Sequence, residues 1–151
     1  MNLADIIPLN NIYLDVNASS KKALFKEVAA KIADKLNIDQ NNVLEKLNER
    51  EKLGSTGIGN GIAIPHGKVN GITKVFSIFL RTKNLIDFSS SDLVGVDIIF
   101  VIIAPEDSKT DHLLVLSEIS KFLRNNKNKQ ALRKLKTAHE VYELLSKTNE
   151  D

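Results

Sequence analysis

The chain has 151 residues, 42% of them hydrophobic and 26% charged, with no cysteine and a formal net charge of +2. That length suits one compact domain over residues 1–151, able to bury roughly two-thirds of the surface its unfolded chain exposes. The composition leaves out disulfides, thiolate metal sites and a cysteine nucleophile, and so small a net charge gives no ground for nucleic-acid binding.

In chain order, Met1 to Asp5 carries neither the basic start nor the long apolar run of a signal peptide, so the expectation is a soluble, cytoplasmic protein. Ile12 to Val16 alternates apolar and polar residues and predicts a short strand. Asn17 or Ser19 can then cap a helix whose stripe is Ala23, Leu24, Val28, Ile32 and Leu36. A second helix follows Asn37-Ile38-Asp39, sets Val43, Leu44 and Leu47 on one face, and runs through Arg50 to stop at Gly54. Past a glycine-rich middle, Lys74 to Thr82 and Val96 to Ala104 predict two strands rich in β-branched and aromatic residues. The second is apolar on both faces, as suits a central strand covered on both sides. With Pro105 it also forms the longest apolar run, from Ile98, too short to cross a bilayer.

A helix begins near Ser108 or Thr110, where Ser108 and Asp111 have the spacing of a capping box. Its inward stripe is Leu113, Leu116, Ile119, Phe122 and Leu123. Two shorter helices, about Lys127 to Lys136 and His139 to Leu145, precede a short polar tail. Between Ile119 and His139 stand seven bases and no acid, with Phe122 the one aromatic among them. That segment reads as a solvated helical face rather than a binding patch. There is no internal repeat. Strands separated by helices around a doubly apolar strand point to an α/β sandwich.

Four of the seven glycines fall between Gly54 and Gly61. Such a run suits a backbone that approaches a ligand closely or points several amides one way, and Gly57, Gly59, Asn60 and Gly61 are candidate phosphate-cradling positions. A plain tight connection would need fewer glycines. The nucleotide-binding patterns fail: Asn60 stands where a Walker lysine would follow Gly59, and Gly57-Ile-Gly59-Asn-Gly61 is not G-x-G-x-x-G. His66 lies between Pro65, which fixes the backbone, and Gly67, which adds no bulk. A neutral imidazole held and approachable in this way can attack phosphorus.

His112 sits in the first turn of its helix, on the face of Leu116, Ile119 and Leu123. It is either a core histidine or a neutral donor at a helix terminus that favours anions and lowers its pKa. Arg50 can aim a planar fork at phosphate over the glycine loop, or pair with Glu49 or Glu51. His139 reads as the cap of a surface helix. Three histidines at these spacings match no metal motif.

The stretch Arg50-Glu-Lys-Leu-Gly-Ser-Thr-Gly-Ile-Gly-Asn-Gly-Ile-Ala-Ile-Pro-His66-Gly-Lys, with Asp111-His112-Leu and the later Ile-Ser-Lys-Phe-Leu-Arg, resembles the enzyme IIA proteins of the bacterial phosphotransferase system. The likeness is to their fructose/mannitol type, and within it to the nitrogen-regulatory branch. It implies a three-layer sandwich, a mixed, roughly five-stranded sheet with helices on both faces. It implies that His66 accepts phosphate at Nε2 from a phosphohistidine of HPr or its nitrogen-branch relative, while His112 and Arg50 stabilise the phosphoryl group. The output would be a regulatory target or a IIB domain, with no cofactor, metal, nucleic acid or membrane insertion. Asn60 replaces an acid found in the mannitol type, which favours the regulatory branch. The alternatives are a sugar-specific IIA handing phosphate to a IIB cysteine, or a regulator with no onward acceptor.

Overall fold

The computed structural model describes residues 2–147, so the end of the polar tail lies outside it. The chain opens with a four-residue helix, α1 (Leu3–Ile6), and a 3-10 turn at Leu9–Asn11, neither of which periodicity announces. Strand β1 (Ile12–Val16) falls where the alternation places it. Helix α2 (Lys21–Leu36) is capped by Ser20, whose side chain accepts from the Ala23 N–H, rather than by Asn17 or Ser19. Helix α3 (Gln40–Lys52) is capped by Asp39 and ends one residue short of Leu53, with Gly54 following.

The glycine-rich middle is a hairpin. β2 (Gly57–Gly59) runs antiparallel to β3 (Ile62–Ala63), and Asn60 and Gly61 turn the chain at φ of 58° and 79°. A two-residue hairpin turn of type I′ requires positive φ at both centres, which is why Asn-Gly occupies it. β4 (His66–Val69), β5 (Phe76–Ile86) and β6 (Val96–Pro105) complete a six-stranded mixed sheet. The order is β1-β5-β6-β3-β2, with β4 following β3 along the same side of β6. β5 is antiparallel to β6, while β3 and β4 are parallel to it and β1 is parallel to β5.

β6 is paired on both sides and buried on both faces. Ile99, Val101 and Ile103 point to the layer of α2 and α3, against Phe25, Val28, Ile32, Val43 and Leu47. Ile98, Phe100 and Ile102 point to the other layer, made by α1, α4 (Asp111–Leu123), α5 (Asn126–Lys134) and α6 (Ala138–Ser146). Phe79 and Phe100 meet edge to face with centroids 5.1 Å apart. The continuous apolar run of β6 is the sequence of a strand with no wet face.

Three local expectations are corrected. Ser108 does not form a capping box: Thr110 is the N-cap of α4 and makes no side-chain cap bond. Leu113 is 52% exposed, and Val115 takes its place inward, because Val115, four residues before Ile119, shares its face while Leu113, six before, is turned about 120° away. His139 caps nothing. Thr137 and Glu140 form the capping box of α6, and His139 pairs with Glu143 at 3.1 Å on an exposed face.

The basic segment is mostly solvated, as read, except that Arg133 reaches back to the hairpin. Its guanidinium lies 3.2 Å from Asp97 and donates to the Asn60 carbonyl. A Cβ at Gly61 would sit 2.5 Å from that guanidinium and 3.3 Å from the Gly95 carbonyl, at a φ that side chains rarely adopt. Gly61→Ala is expected to cost about 1–3 kcal/mol, lowering the melting temperature by roughly 2–4 °C per kcal/mol. An unchanged melting curve would show that the turn does not need glycine.

Candidate functional site

α3 delivers Arg50 to the start of β4, where His66 is paired opposite Ile102 of β6. Gly67 lets the helix lie close: a Cβ there would stand 3.4 Å from the backbone of Lys46. Both ring nitrogens of His66 are engaged. Nδ1 is 3.0 Å from the carbonyl oxygen of Ile64, which can only accept, so Nδ1 carries the proton. Nε2 accepts from the Nε–H of Arg50 at 3.2 Å, and arginine can only donate. The two partners therefore select one neutral tautomer, with the lone pair at Nε2.

Arg50 is itself held by an Nη1–H bond of 2.8 Å to the Gly54 carbonyl. Glu51 is occupied by Thr56 and Lys21, and Glu49 lies 3.7 Å from Lys46. Of the arrangements open to it, Arg50 thus takes the one facing His66 rather than a neighbouring carboxylate.

His112, the second residue of α4, joins them in a cleft of about 370 Å³, together with Lys46, Lys68 and Glu106. Its Nδ1 is 3.5 Å from the Ser108 hydroxyl, and the Lys68 ammonium donates to the Ser108 carbonyl at 2.7 Å. The His112 pKa is pulled below the ordinary 6.5, first by burial, then by the charges of Lys68 and His66, with Asp111 opposing. The downward shift expected at a helix terminus is thus produced by burial and neighbouring charges, among them a lysine not singled out from sequence. Lys68 was findable: in a strand it shares a face with His66, two residues before it.

The glycine run does not enter this cleft. Gly61 is paired at Asp97 and His66 at Ile102, five residues further along β6, or roughly 16 Å at about 3.3 Å per residue. The Asn60 N–H is already given to Asp92, whose carboxyl is held below its usual pKa mainly by that bond. Gly57 packs against Ser90: a Cβ there would clash with the Ser90 hydroxyl. The reading of Gly57, Gly59, Asn60 and Gly61 as a phosphate cradle is replaced by a hairpin whose amides serve the fold. Among the described residues no cluster of His, Asp or Glu could hold a metal, and no helix is long and apolar enough to cross a membrane.

Residues 5–148 match the family described as phosphoenolpyruvate-dependent sugar phosphotransferase system, EIIA 2. A nitrogen regulatory protein of Bradyrhizobium diazoefficiens is 38% identical over 97% of this chain and 95% of its own length. A fructose-specific EIIA component of the phosphotransferase system in Haloferax volcanii is 29% identical, over 99% of this chain and 97% of its own. The crystal structure of the nitrogen regulatory protein IIA-Ntr from Neisseria meningitidis matches with a TM-score of 0.89 at 36% identity, covering 95% of this chain and 98% of that one.

The His112 titration gives a direct check on the cleft. Its proton NMR midpoint is expected below 6.5, and Lys68→Met should raise it, because removing a positive charge favours the imidazolium. In the pH range below about 6.5 the unfolded chain binds this proton more readily than the folded one. The group's contribution to stability is therefore present above that range and declines as pH falls. A midpoint at or above 6.5 in the wild type would contradict the burial of the ring.

Proposed function

The chain belongs to the EIIA 2 family of the phosphoenolpyruvate-dependent sugar phosphotransferase system, and we propose that it is a phosphohistidine carrier with His66 as its acceptor. The donor is a phosphohistidine on an HPr-type protein, and the transfer is in line between two nitrogens. The observation that carries this reading is the unprotonated Nε2 at the cleft, its lone pair met in the resting protein by the Arg50 Nε–H, while Nδ1–H is held by Ile64. As the Nε2–P bond forms, the donor's N–P bond breaks and its electron pair returns to the donor ring. His66 keeps its Nδ1 proton throughout, so no general base is required.

Positioning and charge supply the rest. Arg50 holds the Nε2 position in the resting protein and moves its donors onto phosphoryl oxygens when phosphorus arrives, with Gly54 as its fixed anchor. His112, neutral above its lowered pKa, donates a hydrogen bond from the facing helix. Leu53, 84% exposed on the cleft's rim, and Leu113 beside His112 offer apolar surface on which a carrier protein can seat.

The higher identity to the nitrogen regulatory relative than to the fructose-specific one favours a regulatory output, in which phosphorylation changes the charge presented to a target protein. The fructose-specific likeness supports a second reading, with onward transfer to a IIB cysteine. Incubating the phosphoprotein with purified sugar-specific IIB separates them, since only a sugar-uptake component loses its phosphate quickly.

With enzyme I, an HPr-type donor and phosphoenolpyruvate, His66→Ala is expected to incorporate no acid-labile phosphate while its circular dichroism is unchanged. Full incorporation would place the acceptor elsewhere. His112→Ala should still be phosphorylated, but roughly a hundredfold more slowly. Arg50→Lys should also slow transfer, because a point charge replaces the fork. Wild-type kinetics in Arg50→Lys would remove Arg50 from the site.

A further inference from the structure

One carboxylate closes the chain between Arg50 and His66. Glu51, next to Arg50 in the last turn of α3, turns away from the cleft, and its side chain is only 8% exposed. Oε1 accepts from the Thr56 hydroxyl at 2.6 Å, and Oε2 accepts from the Thr56 N–H at 2.9 Å. Oε2 also accepts from the Lys21 ammonium at 2.9 Å. Lys21 is pinned in turn by the Phe88 carbonyl at 3.1 Å and lies 5.0 Å from the centre of the Phe88 ring. A shielded carboxylate with three donors is a strong anchor.

Two routes lead from that anchor to the imidazole. The loop from Glu51 to Thr56 contains Gly54, whose carbonyl holds Arg50 Nη1 and so sets where Nε meets His66 Nε2. Across the base of the hairpin, the Thr56 carbonyl accepts from the Ile64 N–H at 2.9 Å, and the Ile64 carbonyl receives His66 Nδ1–H. The partner of each ring nitrogen is thus located through Thr56, and Thr56 through Glu51.

We propose that Glu51 is the positioning residue of this site: by gripping Thr56 it places both the Ile64 carbonyl and the Arg50 guanidinium against His66. The proposal rests on the carrier reading for its effect on phosphoryl transfer, while its effect on the ring stands alone. Glu51 touches neither the phosphoryl group nor His66.

The test uses nitrogen-15 spectra of the His66 ring in the full-length, unphosphorylated protein, at a pH where the ring is neutral. Wild type is expected to show one protonated and one bare nitrogen, widely separated. In Glu51→Gln the two resonances should draw together as the tautomers mix, and transfer from an HPr-type donor should slow by roughly ten- to a hundredfold. Thr56→Val, which loses the hydroxyl grip alone, should move the same way to a smaller extent. Thr56→Ser should restore the wild-type spectrum. Wild-type ring resonances in Glu51→Gln overturn the proposal, as does a transfer rate within twofold of wild type. Should Glu51→Gln fail to fold, wild-type resonances in Thr56→Val overturn it. A wild-type protein that takes up no phosphate would sink the carrier reading, yet the ring resonances would still decide the role of Glu51.

Discussion

An imidazole can offer a lone pair at Nε2 only while its proton stays on Nδ1, and here a main-chain carbonyl, that of Ile64, keeps it there. A carbonyl can be that reliable only if its strand cannot move. Ile64 is buried between β3 and β4, both of which run along β6, and β6 is covered on both faces and paired on both edges. The core around Ile99, Val101 and Ile103 holds α3 against this sheet and carries Arg50 to the other side of the ring. The sandwich is thus the device that holds two groups against opposite nitrogens of one histidine.

Charge in the cleft is close to balanced. Three bases, Arg50, Lys46 and Lys68, and two acids, Glu49 and Glu106, line it, and Lys46 lies 3.7 Å from Glu49 on α3. On the proposed carrier reading, a larger excess of positive charge would hold a phosphoryl group too firmly to pass it on. The depressed pKa of His112 belongs to the same balance: on the proposed carrier reading, a neutral donor would stabilise phosphoryl oxygens without adding another full charge. Lys68 both lowers that pKa and, through the Ser108 carbonyl, ties β4 to the approach of α4.

Periodicity carried most of the architecture. β1, the doubly buried β6 and the stripes of α2 and α3 could be read from the placing of apolar residues. Arg50, His66 and His112, 62 residues apart at their extremes in the chain, were singled out by local context and do meet in one cleft. Ile64 was invisible because its contribution is a backbone oxygen, which any residue type would supply. Glu49 and Glu51 looked interchangeable beside Arg50, but successive helical residues differ by about 100° in direction. That rotation sends Glu51 inward to Thr56 and leaves Glu49 exposed. The first turn of α4 misled for a related reason: Leu113 and Leu114 are apolar yet exposed, so Leu113 was counted into a stripe that Val115 shares with Leu116, Ile119, Phe122 and Leu123.

The glycine run was misread in a more instructive way. Four glycines close to a candidate nucleophile suggested amides gathered around an anion, and Asn60-Gly61, a strong hairpin signal, went unused because its strands are only three and two residues long. The need for those glycines is geometric. Arg50 and His66 are 16 residues apart in sequence but in hydrogen-bond contact, so the chain must leave the site, reverse and come back. It leaves along β2, reverses at Asn60-Gly61, and is clasped at its base by the bond from Ile64 to Thr56. Gly57 is where the outgoing strand passes Ser90 too closely for a side chain, and Gly61 is where the turn demands positive φ. The motif is therefore long for a physical reason. Arg50 and His66 stand at its two ends, and its middle is a two-residue hairpin that leaves no room for a side chain at Gly57 and needs positive φ at Gly61.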